Sequence, residues 1–225
     1  MAIVKQSLQV LTGKIGNVVY KRRGNTNYIA TKPSKYTKSN SLAAQNARIR
    51  FKVLGQFSKY LLTLPVLKKI WDNSGLDGIY AYHKILKANS SLLDGQNLSV
   101  NNVIAPKTPE NPVKVVSLSQ TELLITLNDY VFPEKANQFQ LNIILTFLIP
   151  KNSETSPLQF AFLQGDVQPG SLSYTFELPP TAVTFISDFE KLIIYSALSF
   201  TKSKKISWFS NQGSLFLTSE IGPST

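Results

Sequence analysis

Cysteine is absent from all 225 residues, and between Met1 and Trp71 aspartate and glutamate are absent too. The first absence removes disulfides, thiolate nucleophiles and cysteine-ligated zinc, and leaves stability to packing. Histidine is nearly missing: His83 is the single one, so a Ser-His-Asp triad would have to use it and a two-histidine metal site cannot form. Set among Tyr80, Tyr82 and Leu86, it reads as a packing residue on a helix. Long apolar runs are missing as well. Nothing approaches the roughly 20 apolar residues that span a bilayer, and "MAIVKQSLQVLTGK" has no signal-peptide core. The expectation is an unsecreted chain with no membrane partner.

What is present is globular and lopsided. Hydrophobic residues make up 43% of the chain, enough to bury a core. The net charge of +11 is unevenly spread: residues 1–95 hold 16 Lys and Arg against Asp72, Asp77 and Asp94, and the rest hold eight against ten acids. A solvated surface ordinarily mixes signs, so the front of the chain asks for an anionic partner.

Along that front, "GNVVYKRRGNTNYIAT" predicts two short strands around a Gly24-Asn25 turn, with Lys21, Arg22 and Arg23 at the tip. The following "KPSKYTKSN" is a loop or extended arm carrying Lys32, Lys35 and Lys38. A helix starts at Ser41, its N-cap, with Ala47, Phe51, Leu54, Phe57 and Leu61 on one side and Gln45, Arg48, Lys52, Gln56 and Lys59 on the other. Pro65 opens a second short helix, "PVLKKIWDN". A third fits "DGIYAYHKILKANSS", capped by Asp77, with Ile79, Tyr82 or His83, and Leu86 inward. Prolines and turn residues at 96–112 mark a linker. Beyond it "FQLNIILTFLIP" alternates Phe139, Leu141, Ile143, Leu145, Phe147 and Ile149. Short runs of the same kind stand at "VKVVSL", "ELLITL", "LQFAFL", "SYTFEL", "KLIIYSALSF", "ISWFS" and "SLFLTS". The expected architecture is α+β: a basic hairpin-plus-helices module at 1–95 and, at 113–225, an immunoglobulin-like or fibronectin-like β-sandwich able to fold by itself.

Catalytic chemistry finds little footing. "TGKIGN" has glycines like a phosphate-binding loop, but its lysine follows the first glycine and no helix follows, so the glycines read as allowing a sharp strand bend. Asp188 and Glu190 lie two apart, a spacing that solvated charges share with carboxylate pairs. The basic front is the stronger signal. Lys21, Arg22, Arg23, Lys32, Lys35, Lys38, Arg48, Lys52 and Lys59 are the candidate contacts to a polyanion or a neighbouring subunit, and Tyr20, Tyr28 and Tyr36 the candidates for stacking on bases.

Gly13 to Val19 (G-K-[IV]-G-N-V-V), the basic turn ending at Gly24, the K-P-x-K arm at Lys32 to Lys35 and the Q-x-x-R-x-[RK]-F helix at Gln45 to Phe51 together resemble an uncharacterised family of small proteins from Bacteroidota and their phages. The resemblance covers roughly the first 90 residues. It implies no activity, cofactor or site residue; its association with phage genes implies a virion part. The reading from sequence is therefore a non-enzymatic structural protein of a phage head, neck or tail, without cofactor or metal. Its expected partners are other virion proteins, copies of itself and packaged nucleic acid, and it is expected to assemble in the host cytoplasm. A cytoplasmic nucleic-acid-binding accessory protein is the alternative, and a β-sandwich hydrolase using carboxylates a more distant one.

Overall fold

The structure is a computed structural model and describes residues 2–3, 13–23, 26–31, 38–109, 112–128, 131–152, 156–168, 170–210 and 212–221. The Gly24-Asn25 turn and the part of the arm carrying Lys32, Lys35 and Tyr36 lie outside the described residues. The chain divides into two compact units, Met1–Ala44 and Gln45–Thr225.

In the first unit, β1 (Ala2–Ile3), β2 (Gly13–Ile15), β3 (Val18–Arg23) and β4 (Thr26–Thr31) form an antiparallel sheet in the order β1-β4-β3-β2. The β-branched and aromatic residues of "VVYKRR" and "TNYIAT" suit the pleat. They pair as expected, from Val18 opposite Thr31 to Arg23 opposite Thr26. Between β2 and β3 only Gly16 and Asn17 intervene, with Ile15 opposite Val18 and Gly16 at φ +55. A two-residue hairpin loop needs that left-handed conformation, which glycine adopts freely.

Three helices follow: α1 (Leu42–Thr63), α2 (Pro65–Asn73) and α3 (Ala81–Asn89). Ser41 caps α1, its Oγ accepting the Ala44 N–H at 3.3 Å. Leu54, Phe57 and Leu61 are buried as the spacing predicts, but Phe51, expected on the same stripe, is 60% exposed and Ala47 is exposed too. Packing against the rest of the unit starts at Val53. Proline occupies the first turn of α2, where its missing N–H costs nothing. The third helix departs from expectation. Tyr80, not Asp77, precedes its first turn, without a side-chain cap; Asp77 accepts a 2.9 Å bond from Lys87 Nζ, and Ile79 is exposed. The buried positions are Ala81, Lys84, Ile85 and Asn89.

All eight apolar runs become strands: β5 (Val113–Leu118), β6 (Glu122–Leu127), β7 (Ala136–Pro150), β8 (Leu158–Asp166), β9 (Ser173–Glu177), β10 (Phe189–Lys202), β11 (Lys205–Ser210) and β12 (Ser214–Leu217). A fourth helix, α4 (Pro180–Asp188), was not expected. The long strand β10 pairs with β7, which pairs with β8, while β11 and β12 take successive stretches of its other edge. The remaining strands form a second antiparallel sheet, β5-β6-β9.

The two sheets share one core, in which Leu141, Ile143, Leu145 and Phe147 meet Leu123, Ile125 and Leu127, with α4 closing over Phe147. Side chains alternate along a strand, so Ile144, Leu148, Ile193, Tyr195 and Ala197 point the other way. There they form a second core with Phe57, Leu61, Leu67, Ile70, Trp71 and Ile85 of the helices. The α+β class expected from sequence is therefore what is found, in three layers: helices, five strands, three strands.

Residues 96–112 are not where the chain divides. Leu98, Val103, Ile104 and Ala105 are buried in the helix-side core. Backbone carbonyls of this segment accept bonds from Tyr195 Oη (Ser99, 2.6 Å), Asn89 Nδ2 (Val103, 3.1 Å), Trp71 Nε1 (Ile104, 2.8 Å) and Trp208 Nε1 (Pro106, 2.9 Å). Prolines and turn residues here shape an anchored crossing between helices and sheet, and the helices belong with the strands.

Candidate interaction surface

The small sheet sorts its candidate residues by register. Lys21 stands directly opposite Tyr28, and Tyr20 opposite Ile29. Directly paired residues share a face and successive ones alternate, so Lys21 and Tyr28 lie on one face and Tyr20 and Arg22 on the other. Lys21 and Arg22 are exposed, and both tyrosines are half-buried. The two tyrosines therefore cannot form one stacking platform; each is a neighbour of one cation instead. Arg23 ends β3 opposite Thr26, and Lys38 is exposed in the last described part of the arm.

On α1, Arg48, Lys52 and Lys59 are all exposed. Spacings of four and seven residues put them on one side of the helix, a stripe about 16 Å long at 1.5 Å per residue, opposite buried Leu54, Phe57 and Leu61. Two exposed apolar residues, Ile49 and Phe51, accompany the stripe. Arg50 is otherwise engaged, donating to Ser90 O at 3.1 Å. Lys68 and Lys69 of α2 are exposed too.

The other candidates separate. His83 is exposed, its ring 5.8 Å from that of Tyr80 and 5.9 Å from that of Tyr82, so it is a surface histidine and not an inward one. Asp188 and Glu190 are exposed on either side of buried Phe189. No group of three His, Asp or Glu that could hold a metal occurs among the described residues, and no described helix is long and apolar enough to cross a membrane.

Titration behaviour follows burial and pairing. Hydrogen bonding and charge from Lys87 hold the Asp77 carboxyl below the usual range. Burial raises the Tyr60 and Tyr195 hydroxyls.

Among the concavities of the larger unit are two lined by described residues. One, about 190 Å³, has an apolar floor of Leu98, Val100, Leu148 and Ile193 with Asp94 and Lys191 at its rim. The other, an open cleft of about 690 Å³, is lined by Asn137, Gln138, Gln140, Asp166 and Gln168 over buried Phe139 and Val167. The second is not legible in the sequence, because its walls come from the start of β7 and the end of β8 with the residues that follow. Compared with known proteins, the chain matches no family model and no curated protein.

Proposed function

We propose that this chain is a non-enzymatic assembly protein, a component of a bacteriophage virion, whose basic N-terminal unit joins it to neighbouring subunits or to packaged nucleic acid. The observation that carries the reading is the pairing of two unlike units. Residues 1–44, without a single acid, build a separate small antiparallel sheet with exposed Lys21 and Arg22, and a larger unit has its own cores. Outer strands β1 and β2 offer backbone groups for strand addition, while the cations discourage self-pairing and suit an acidic neighbour. The two facing sheets of the larger unit we read as an immunoglobulin-like or fibronectin-like sandwich with one face covered by helices. The resemblance of the first 90 residues to a phage-associated family supports the virion setting.

Deleting residues 1–40 tests this. Electron microscopy of the full chain should show rings, tubes or particle-bound protein that the truncated chain, still folded by circular dichroism, does not form. The same assemblies from both would remove the unit from the assembly role and favour the alternative, a cytoplasmic nucleic-acid-binding accessory protein.

A further inference from the structure

The strand-rich remainder of the chain, with two more acids than bases overall, hides a concentrated basic end. Lys202 closes β10 and Lys205 opens β11, and the two are directly opposite each other. Like charges in that relation repel. Lys202 is also opposite Ala136 on β7, which Lys135 precedes. With Lys204 in the turn, four exposed lysines gather at one end of the five-stranded sheet, with Glu134 before Lys135 and Asp166 in the adjoining cleft as acids among the described residues.

The backbone there is as unusual as the charge. The loop between Lys202 and Lys205 has two residues, Ser203 at φ +50 and Lys204 at φ +64. A two-residue loop with both residues left-handed is ordinarily filled by Asn-Gly or Asp-Gly. Lys135 at φ +61 and Gln138 at φ +53 are left-handed also. Of the five described non-glycine residues with positive φ, only Ile149 lies elsewhere. Strained backbone and unneutralised charge coincide, and each costs stability that a bound anion would offset.

Next to the lysines lies the amide-lined cleft. Gln138 Oε1 accepts from Thr201 Oγ1 at 3.1 Å, and Gln140 Nε2 donates to Asp166 Oδ1 at 3.0 Å, so these side chains are held in place across three strands. A lipid surface asks for exposed apolar anchors at the contact, whereas the apolar part of this lining, Phe139 and Val167 with half-buried Ala136, lies beneath four amides and a carboxylate. Amides and carboxylates read base edges, and lysines neutralise phosphates.

We propose that this end of the five-stranded sheet binds a single nucleic-acid strand, with Lys135, Lys202, Lys204 and Lys205 on its phosphates and the Gln138, Gln140 and Gln168 amides on its bases. The site belongs to residues of the larger unit and does not rest on the assembly reading.

The test uses the full chain and a fluorescent single-stranded oligonucleotide followed by anisotropy. K202Q/K204G/K205Q is compared with K107Q/K114Q/K151Q, which removes the same charge from exposed positions elsewhere. The first should lower affinity by about tenfold or more at 50 mM salt and flatten the dependence of log K on log salt by about two, at 0.7 per phosphate contact. The second should change affinity less than twofold. Glycine fits the left-handed position 204, so the first variant should melt no lower than the parent, and its lost binding is not lost folding. Q138A/Q168A should weaken the oligonucleotide severalfold and leave inorganic polyphosphate binding unchanged. Equal losses from both charge-removing variants, a loss under twofold from the first, or binding to phosphatidylserine vesicles without oligonucleotide binding would each overturn the proposal.

Discussion

Lys84 and Tyr195 show how single polar groups secure the cores. Lys84 is nearly buried, yet its Nζ donates to Ser74 O at 2.8 Å, Asp72 O at 3.1 Å and Trp71 O at 3.2 Å. These carbonyls close α2, where a helix leaves acceptors unsatisfied and its dipole favours a cation. Lys84→Met keeps the stem and removes the donor, so it should cost about 2–3 kcal/mol in chemical denaturation. A cost well under 1 kcal/mol would mean that water satisfies those carbonyls instead. Tyr195 donates to Ser99 O from a buried site that pushes its hydroxyl up. With the folded value raised, the contribution is complete below the unfolded value of about 10 and is lost as pH rises from there toward the folded one. Thermal melts should therefore show the parent losing more stability between about pH 9.5 and 11 than Tyr195→Phe does. Parallel curves would place the hydroxyl in contact with solvent. Asp77→Asn, at an exposed pair, should leave the melting temperature unmoved.

At the scale of elements, the strands were the most legible because period-two alternation survives wherever one face of a strand is buried. Phe139 to Phe147 alternate into the inter-sheet core as read. What alternation could not show is that Ile144, Leu148, Ile193, Tyr195 and Ala197 are buried as well, since apolar residues on both faces blur the period and do not name the second cover. The short α4 was missed because "TAVTFISD" is rich in β-branched residues that propensity assigns to strands, and only packing against β7 and β10 settles it. The third helix was misread at its start because Asp77 looks like a cap in sequence but pairs with Lys87. One consequence reverses the expectation of a self-sufficient sandwich. Residues 106–225 alone would expose those five side chains, a loss on the order of 10 kcal/mol at 1.5–3 kcal/mol for each large one, comparable with a whole domain's stability. That fragment should aggregate or stay molten by gel filtration and circular dichroism, whereas residues 45–225 should fold. A cooperative, monomeric 106–225 would show the helices to be accessory.

For the whole molecule, charge was legible as an asymmetry but not as a map. The stripe of Arg48, Lys52 and Lys59 could be read from helical spacing, and the structure keeps it on one exposed side. The placement of Tyr20 and Tyr28 on opposite faces depends on strand register, which composition does not show. The lysines at 135 and 202–205 are not legible as a cluster in the sequence because strand pairing across a long separation brings them together. On the proposed reading, the basic sheet and the stretch without an acid before Asp72 meet an acidic partner, and the association should weaken with salt. The molar mass of the full chain by light scattering, across protein concentration and between 50 and 500 mM salt, bears on this most directly. Multimers that grow with concentration, shrink with salt and are lost on deletion of residues 1–40 are the expected result; a monomer at every concentration and salt would contradict assembly through the N-terminal unit.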